Sequence, residues 1–415
     1  MICKTVEEFI NCMINENMQY NSLFLENKED YCKLFNYANQ HINEDERYQL
    51  MVAYAYKYGE GVEKNLQQAY NHFSALYSKG NAVAIYELSL MYYKGEYVEK
   101  NINFSNKLLE MSANKNYPPA LNDLGYMYDL GIGYNANLEK AFEYYSKAAN
   151  LNHPTATNNL ALFYKNGKYV KQDYKKAFEL FEKAANLGDK NGINNLGGMY
   201  EHGFYVERNL EKAFEYYLKA AKYGNPVAMN NVGYFYERGM GVAKDLSKAL
   251  SCYEQAAQKG NVNAMRNASI FYLSGLGCQV DSEKGIYWLT KAAEGGNSAA
   301  MVSLGYKYEK GDLVPQSYQK AFELYDKAAK LGNATALSNL GVYYENGWYV
   351  AKNLHIAVEY YKSAAAKNEG IAICNLGLCY KYGRGVGQDT SYAKSLFKKA
   401  MDLGYEPAKK YYQEM

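Results

Sequence analysis

Apolar positions through residues 225–260 fall into two helical spacings. Met229, Val232 and Tyr236, with Ala228 and Phe235 alongside, mark one helix; Ala249, Tyr253 and Ala256, at i, i+4 and i+7, mark a second. Polar residues and glycines punctuate them. Asn225 caps free amides and Pro226 follows where its missing N–H costs nothing. Gly239 and Gly241 end the first helix, Asp245 caps the second, and Gly260 closes it. The whole pattern recurs every 36 residues without insertion or deletion. Its markers are Tyr56, Tyr92, Tyr128, Tyr164, Tyr200, Tyr236, Tyr272, Tyr308, Tyr344 and Tyr380, each followed three residues later by Gly. A fixed period of this length is the signature of stacked helical repeats.

Other columns agree. The Gly233 column holds only Gly, Ala or Ser, which lets another helix come close. The Asp245 column (Asn65, Asn101, Asn137, Asp173, Asn209, Asp245, Asp281, Ser317, Asn353, Asp389) holds only good N-cap residues, each contributing about 1 kcal/mol. The Gly260 column holds only Gly or Asn, which tolerate the left-handed cap conformation. Helices of about 12–14 residues are marginal alone in water, and one pair cannot cover its own apolar faces, so stacking is compulsory. The expected fold is an all-α, α/α solenoid superhelix: ten helix-pair repeats over 46–404, a divergent N-terminal helical cap over 1–45 and a C-terminal capping helix over 405–415. Thr5–Asn21 and Asp30–Ile42 read as cap helices. Pro407 and Ala408 start an eleventh first helix that exposes Lys409, Lys410, Gln413 and Glu414.

Length and composition add little to this. A globular chain of 415 residues would split into two or three domains, whereas a solenoid needs no growing central core. The 47 tyrosines suit a thin architecture in which few positions are fully dry. A net charge of +2 gives no field to steer the chain onto nucleic acid or anionic lipid. Seven cysteines outside any repeat column, with no CxxC, fit a reducing compartment. The first residues lack the basic start and apolar run of a secretory signal, and no stretch approaches a membrane span. A monomer in the cytoplasm is expected, with non-classical secretion into a host as an alternative. Heavy use of Asn, Lys and Tyr suggests an AT-rich bacterial or protist genome.

The unit Ala-x-x-x-Leu-Gly-x-x-Tyr-x-x-Gly-x-x-Val-x-x-Asn/Asp-x-x-Lys-Ala, followed by Ala-Ala and Gly-Asn, resembles the Sel-one-like repeat of the tetratricopeptide-like superfamily. Ala336, Leu340, Gly341, Tyr344, Gly347, Val350, Asn353, Ala357, Ala364 and Ala365 carry it in one copy. Repeats two and seven depart from it, with Ser105 and Gly285 in place of the Ala after Lys. Gly285 inside a helix costs about 1 kcal/mol relative to Ala, so that joint is expected to be softer. The resemblance implies a superhelix that binds proteins as adaptor or scaffold. A cysteine-rich bacterial branch with one disulfide per repeat is not matched here.

The resemblance also implies that first helices line a concave face, with the residue before the Leu of Leu-Gly pointing inward. That column is Glu87, Asp123, Asn159, Asn195, Asn231, Asn267, Ser303, Asn339 and Asn375; one position earlier stand Asn122, Asn158, Asn194, Asn230 and Arg266. Asn is a mediocre helix former. A ladder of amides can grip an extended peptide backbone without reading its sequence; the alternative is ordinary solvent-facing filler. Nearby inward columns add Tyr234, Arg238 and His202. Arg238 and Arg266 could fork onto a carboxylate or phosphate, or stand solvated or internally paired. Gly198 replaces the Tyr or Leu of its column and leaves either a notch for close ligand approach or mere repeat drift.

Gly383-Arg-Gly385-Val-Gly387 lies between helices rather than after a strand, so it reads as a turn and not a phosphate loop. The five histidines are scattered, and no nucleophile, acid or base is grouped. The tyrosine column reads as core. No cofactor is expected. The reading is a non-enzymatic scaffold that holds another protein or an extended peptide, with no nucleic acid and no membrane insertion. The alternatives are a small-molecule or glycan receptor, or a bacterial effector delivered to a host.

Overall fold

The computed structural model describes residues 2–14 and 23–415. Ten helix pairs follow one another, first helices from Glu46–Tyr58 to Gly370–Tyr382 and second helices from Leu66–Ser78 to Thr390–Asp402. The chain divides into two compact units, Met1–Glu207 and Arg208–Met415, each built by the same local rules.

The expected caps form. In all ten second helices the N-cap side chain accepts from the backbone N–H three residues on, as Asn137 does from Lys140 and Asp245 from Lys248. The N-cap's own N–H donates to the carbonyl of the repeat's marker tyrosine, for example Asp281 to Tyr272 at 2.9 Å, so that tyrosine's backbone fixes the start of the second helix. Asn116, Asn152 and Asn368 take the left-handed φ that Gly supplies elsewhere in the Gly260 column. One left-handed column was not expected. Two residues after the marker Gly, the chain turns left-handed both at glycines such as Gly241 and at Tyr97, Tyr169, Tyr205, Leu313 and Tyr349. The tyrosines there lay their rings on an aromatic of the preceding second helix, as Tyr169 does on Phe142 at 5.6 Å.

The small column works as expected. A Cβ built on Gly125, Gly233 or Gly305 would fall 2.7–2.8 Å from the ring of Tyr145, Tyr253 or Tyr325, so glycine there admits the second-helix ring. These rings are fully buried. The marker tyrosines are not. Only Tyr128 and Tyr272 are buried, and the other eight are half-buried. In five repeats a second-helix lysine lies over the marker ring, whether buried or half-buried: Lys140 on Tyr128, Lys176 on Tyr164, Lys248 on Tyr236, Lys284 on Tyr272 and Lys320 on Tyr308, at 4.3–5.5 Å from the ring centres.

At the N-terminus, helix Val6–Ile14 occupies the described part of the helix expected over Thr5–Asn21, and residues 15–22 lie outside the described residues. The helix expected over Asp30–Ile42 spans Asp30–Gln40. Two short parallel strands, Ile2–Cys3 and Phe24–Leu25, were not expected, because two-residue strands leave no period to read. At the C-terminus, Ala408–Gln413 buries Ala408 and exposes Lys409, Lys410, Gln413 and Glu414.

Candidate partner-binding face

The expected amide ladder exists, but much of its capacity is spent internally. In the first unit one hydrogen-bonded run crosses four first helices. Asn195 Nδ2 donates to Asn158 Oδ1 (2.8 Å), Asn158 Nδ2 to Asn159 Oδ1 (3.5 Å), Asn159 Nδ2 to Asn122 Oδ1 (3.3 Å) and Asn122 Nδ2 to Asp123 Oδ1 (3.1 Å). Asp123 Oδ2 accepts from Tyr86 Oη at 2.8 Å. The second unit repeats the step, Asn267 Nδ2 to Asn230 Oδ1 at 3.1 Å. The cause is geometric. Stacking places each inward position beside the position one earlier on the preceding first helix, 37 residues back, and side-chain amides match each other as donor and acceptor.

This corrects part of the expected site. Asn158 is only 3% exposed, so its amide joins helices and does not meet a ligand. Glu87, expected to point inward, is 1% exposed; it accepts from Tyr54 Oη at 2.9 Å and pairs with buried Lys57. Asp123 is half-buried, and desolvation raises its pKa while the Tyr86 and Asn122 hydrogen bonds lower it. Asn159, Asn194, Asn195, Asn230, Asn231 and Asn267 remain half-exposed.

Each unit also exposes apolar side chains on its first helices. Tyr126 in the first unit, and Tyr234, Ile270 and Tyr306 in the second, are exposed directly after the small column. Gly198 is half-buried in that same column and adds no side chain. His202 is exposed, its ring 5.4 Å from that of Phe204. Arg238 is engaged within the chain, with its guanidinium 5.6 Å from the Tyr234 ring centre and Nε 3.8 Å from Glu237. Arg266 differs: its buried Nε has no partner among the described residues.

One recurring feature escaped the sequence reading. Buried second-helix tyrosines reach through to an acid on the first helix, Tyr253 to Glu237 at 2.6 Å, Tyr325 to Glu309 at 3.2 Å and Tyr361 to Glu345 at 2.7 Å. The signal was there at a spacing of 16. Positions with Tyr145, Tyr217, Tyr253, Tyr325 and Tyr361 follow an Asp or Glu, whereas Phe73, Leu109, Phe181, Leu289 and Phe397 follow Lys, Tyr or Leu. A hydroxyl buried without a partner is costly, so acid and hydroxyl come and go together. Glu237, Glu309 and Glu345 are therefore structural.

Among the described residues no group of His, Cys, Asp and Glu gathers to hold a metal, and no helix is long and apolar enough to cross a membrane.

A family model described as the Sel1 repeat matches ten consecutive segments, from residues 47–81 and 82–117 through to 334–369 and 370–405. The chain belongs to the Sel1 repeat family. Among solved structures it is similar to a protective antigen of uropathogenic Escherichia coli strains displaying an SLR fold, at 30% identity and a TM-score of 0.59, over 92% of this chain and 82% of that one. It is also similar to a Sel1 repeat protein from Oxalobacter formigenes, at 30% identity and a TM-score of 0.52, over 73% of this chain and 88% of that one. No curated protein sequence matches the chain. The Sel1 repeat is commonly used for protein–protein interaction and is generally a non-catalytic scaffold.

Proposed function

We propose that this Sel1 repeat protein is a monomeric, non-catalytic scaffold that holds a protein segment along its first helices, with residues 1–45 and 405–415 capping the array. The observation that carries the reading is the exposed rings and aliphatic side chain at one repeat position, Tyr126 in the first unit and Tyr234, Ile270 and Tyr306 in the second. Aromatic side chains left in water beside polar groups are the usual composition of an interface core. The half-used amides of Asn159, Asn195, Asn230 and Asn267, with the half-exposed Asn194 and Asn231 beside them, would bind backbone groups of the segment, and Arg266 would take a carboxylate. Gly198 and His202 would border it. The near-neutral chain gives no reason to expect nucleic acid.

The test is affinity capture from cells with the intact protein and with the triple variant Tyr234→Ala/Ile270→Ala/Tyr306→Ala. A partner held through this face drops out of the variant's eluate while circular dichroism stays unchanged. A partner retained equally by both proteins contradicts the reading.

A further inference from the structure

The small residue of each first helix and the residue 20 positions later on the second helix vary together along the chain, although Ser adds back fewer atoms than Leu removes. Gly goes with Tyr or Phe (Gly125 with Tyr145, Gly233 with Tyr253, Gly377 with Phe397), Ala with Phe (Ala53 with Phe73, Ala161 with Phe181), and Ser with Leu (Ser89 with Leu109, Ser269 with Leu289). Leu is smaller than a ring, so repeats two and seven each lack part of the volume that a ring fills elsewhere. Repeat seven makes up the deficit from its own chain: Leu273 occupies the space beside Gly285, where an added Cβ would fall 2.5 Å from Leu273 Cδ2. Repeat two has Ser105 in place of that glycine and Tyr93 in place of that leucine, and Tyr93 is 41% exposed. A cavity of about 220 Å³ remains, lined by Leu90, Tyr93, Leu109, Tyr126, Met127 and Ile132. An apolar cavity of about 150 Å³ is enough to hold benzene.

The polar groups in its wall want a guest. Ser89 Oγ donates to the Tyr86 carbonyl and Ser105 Oγ to the Ser89 carbonyl, each at 2.7 Å, so both hydroxyl protons are spent and their lone pairs remain. Asn106 is 8% exposed, lines the cavity, and its buried Oδ1 has no partner among the described residues. A phenol fills the shape and brings one hydroxyl that both donates and accepts.

We propose that this cavity is a ring-binding subsite that takes the side chain of a tyrosine from a bound segment, in the place where other repeats carry their own ring. It deepens the reading of the first-helix face, which it meets at Tyr126, 49% exposed, and it rests on that reading. The partner's tyrosine stands in for Tyr145 or Tyr253, with Asn106 as the acceptor of its hydroxyl.

The experiment uses the full chain and the free ring. N-acetyl-tyrosinamide, N-acetyl-phenylalaninamide and N-acetyl-leucinamide are titrated in turn by protein-observed NMR. The tyrosine compound is expected to bind saturably, the phenylalanine compound about tenfold more weakly for want of the hydroxyl, and the leucine compound not measurably. Ser89→Ala/Leu109→Phe copies the Ala161–Phe181 pairing already present, fills the cavity, and should abolish binding. Asn106→Leu keeps the cavity and should bring the tyrosine compound down to the level of the phenylalanine one. Equal binding by the filled variant, or no preference for tyrosine over leucine, overturns the subsite. Wild-type protein that captures a partner through Tyr234, Ile270 and Tyr306 yet binds no ring refutes the subsite alone; ring binding without partner capture refutes the wider face alone.

Discussion

Repeats two and seven carry the same departure, Ser in the small column and Leu where a ring usually stands, yet they end differently. Repeat seven closes the gap by drawing Leu273 over Gly285. The glycine that sequence reading marks as a soft joint is therefore a packing device, since the space its side chain would occupy is already filled. Repeat two keeps serines at 89 and 105, ties their hydroxyls to carbonyls, and leaves a cavity. The difference teaches that a gap in a repeat array is decided by the residue four after the small column, Leu273 or Tyr93, and by what faces it. The repeat consensus does not decide it.

The comparison can be broken by moving the gap. Tyr253→Leu gives repeat six a Gly–Leu pair that occurs nowhere in the chain, and strips Glu237 of its phenol partner. We expect a loss of about 2–4 kcal/mol in urea unfolding; a loss under about 1 kcal/mol would mean that the ring is replaceable. Leu273→Ala should turn repeat seven into a likeness of repeat two. Leu273 is half-exposed, so the expected cost is smaller, about 1–2 kcal/mol. Ser89→Ala/Leu109→Phe works in the opposite sense and should raise stability by about 0.5–1 kcal/mol by filling repeat two, read as a shift of the urea midpoint at constant slope.

A pH titration sharpens the contrast between repeats with and without a buried phenol. Burial first, and neighbouring acids after it, push the hydroxyls of Tyr145, Tyr253, Tyr325 and Tyr361 well above the ordinary phenol value. Below about pH 10 both folded and unfolded chains keep these protons, and the contribution is fully present. Above it the unfolded chain releases protons that the folded chain holds, so stability falls as pH rises. Tyr253→Phe should flatten that fall by at most about 1.4 kcal/mol per pH unit, and an unchanged slope would show that Tyr253 titrates normally.

Most of the fold was legible because its signals are local. An Asn or Asp at each second-helix start caps the helix whatever surrounds it, and Gly or Asn at each end turns left-handed for intrinsic reasons. Less of the face was legible. The amides of Asn158 and Asn195 find each other only through the 37-residue offset between stacked helices, which no single repeat encodes. The left-handed Tyr97, Tyr169, Tyr205 and Tyr349 are held by rings on a preceding helix, against their own preference. The pairing of Tyr253 with Glu237 was written in the sequence at a spacing of 16, but it becomes visible only when hydroxyl-bearing and hydroxyl-free repeats are compared.

Hydroxyl-radical footprinting of the protein with and without a captured partner tests most directly whether the first helices are the binding surface. Tyr126, Tyr234 and Tyr306 on first helices and Tyr287 and Tyr392 on second helices are all exposed in the free chain and should label together. Partner addition is predicted to protect the first three and leave Tyr287 and Tyr392 unchanged. Protection of Tyr287 and Tyr392 with undiminished labelling of Tyr126, Tyr234 and Tyr306 would contradict the account.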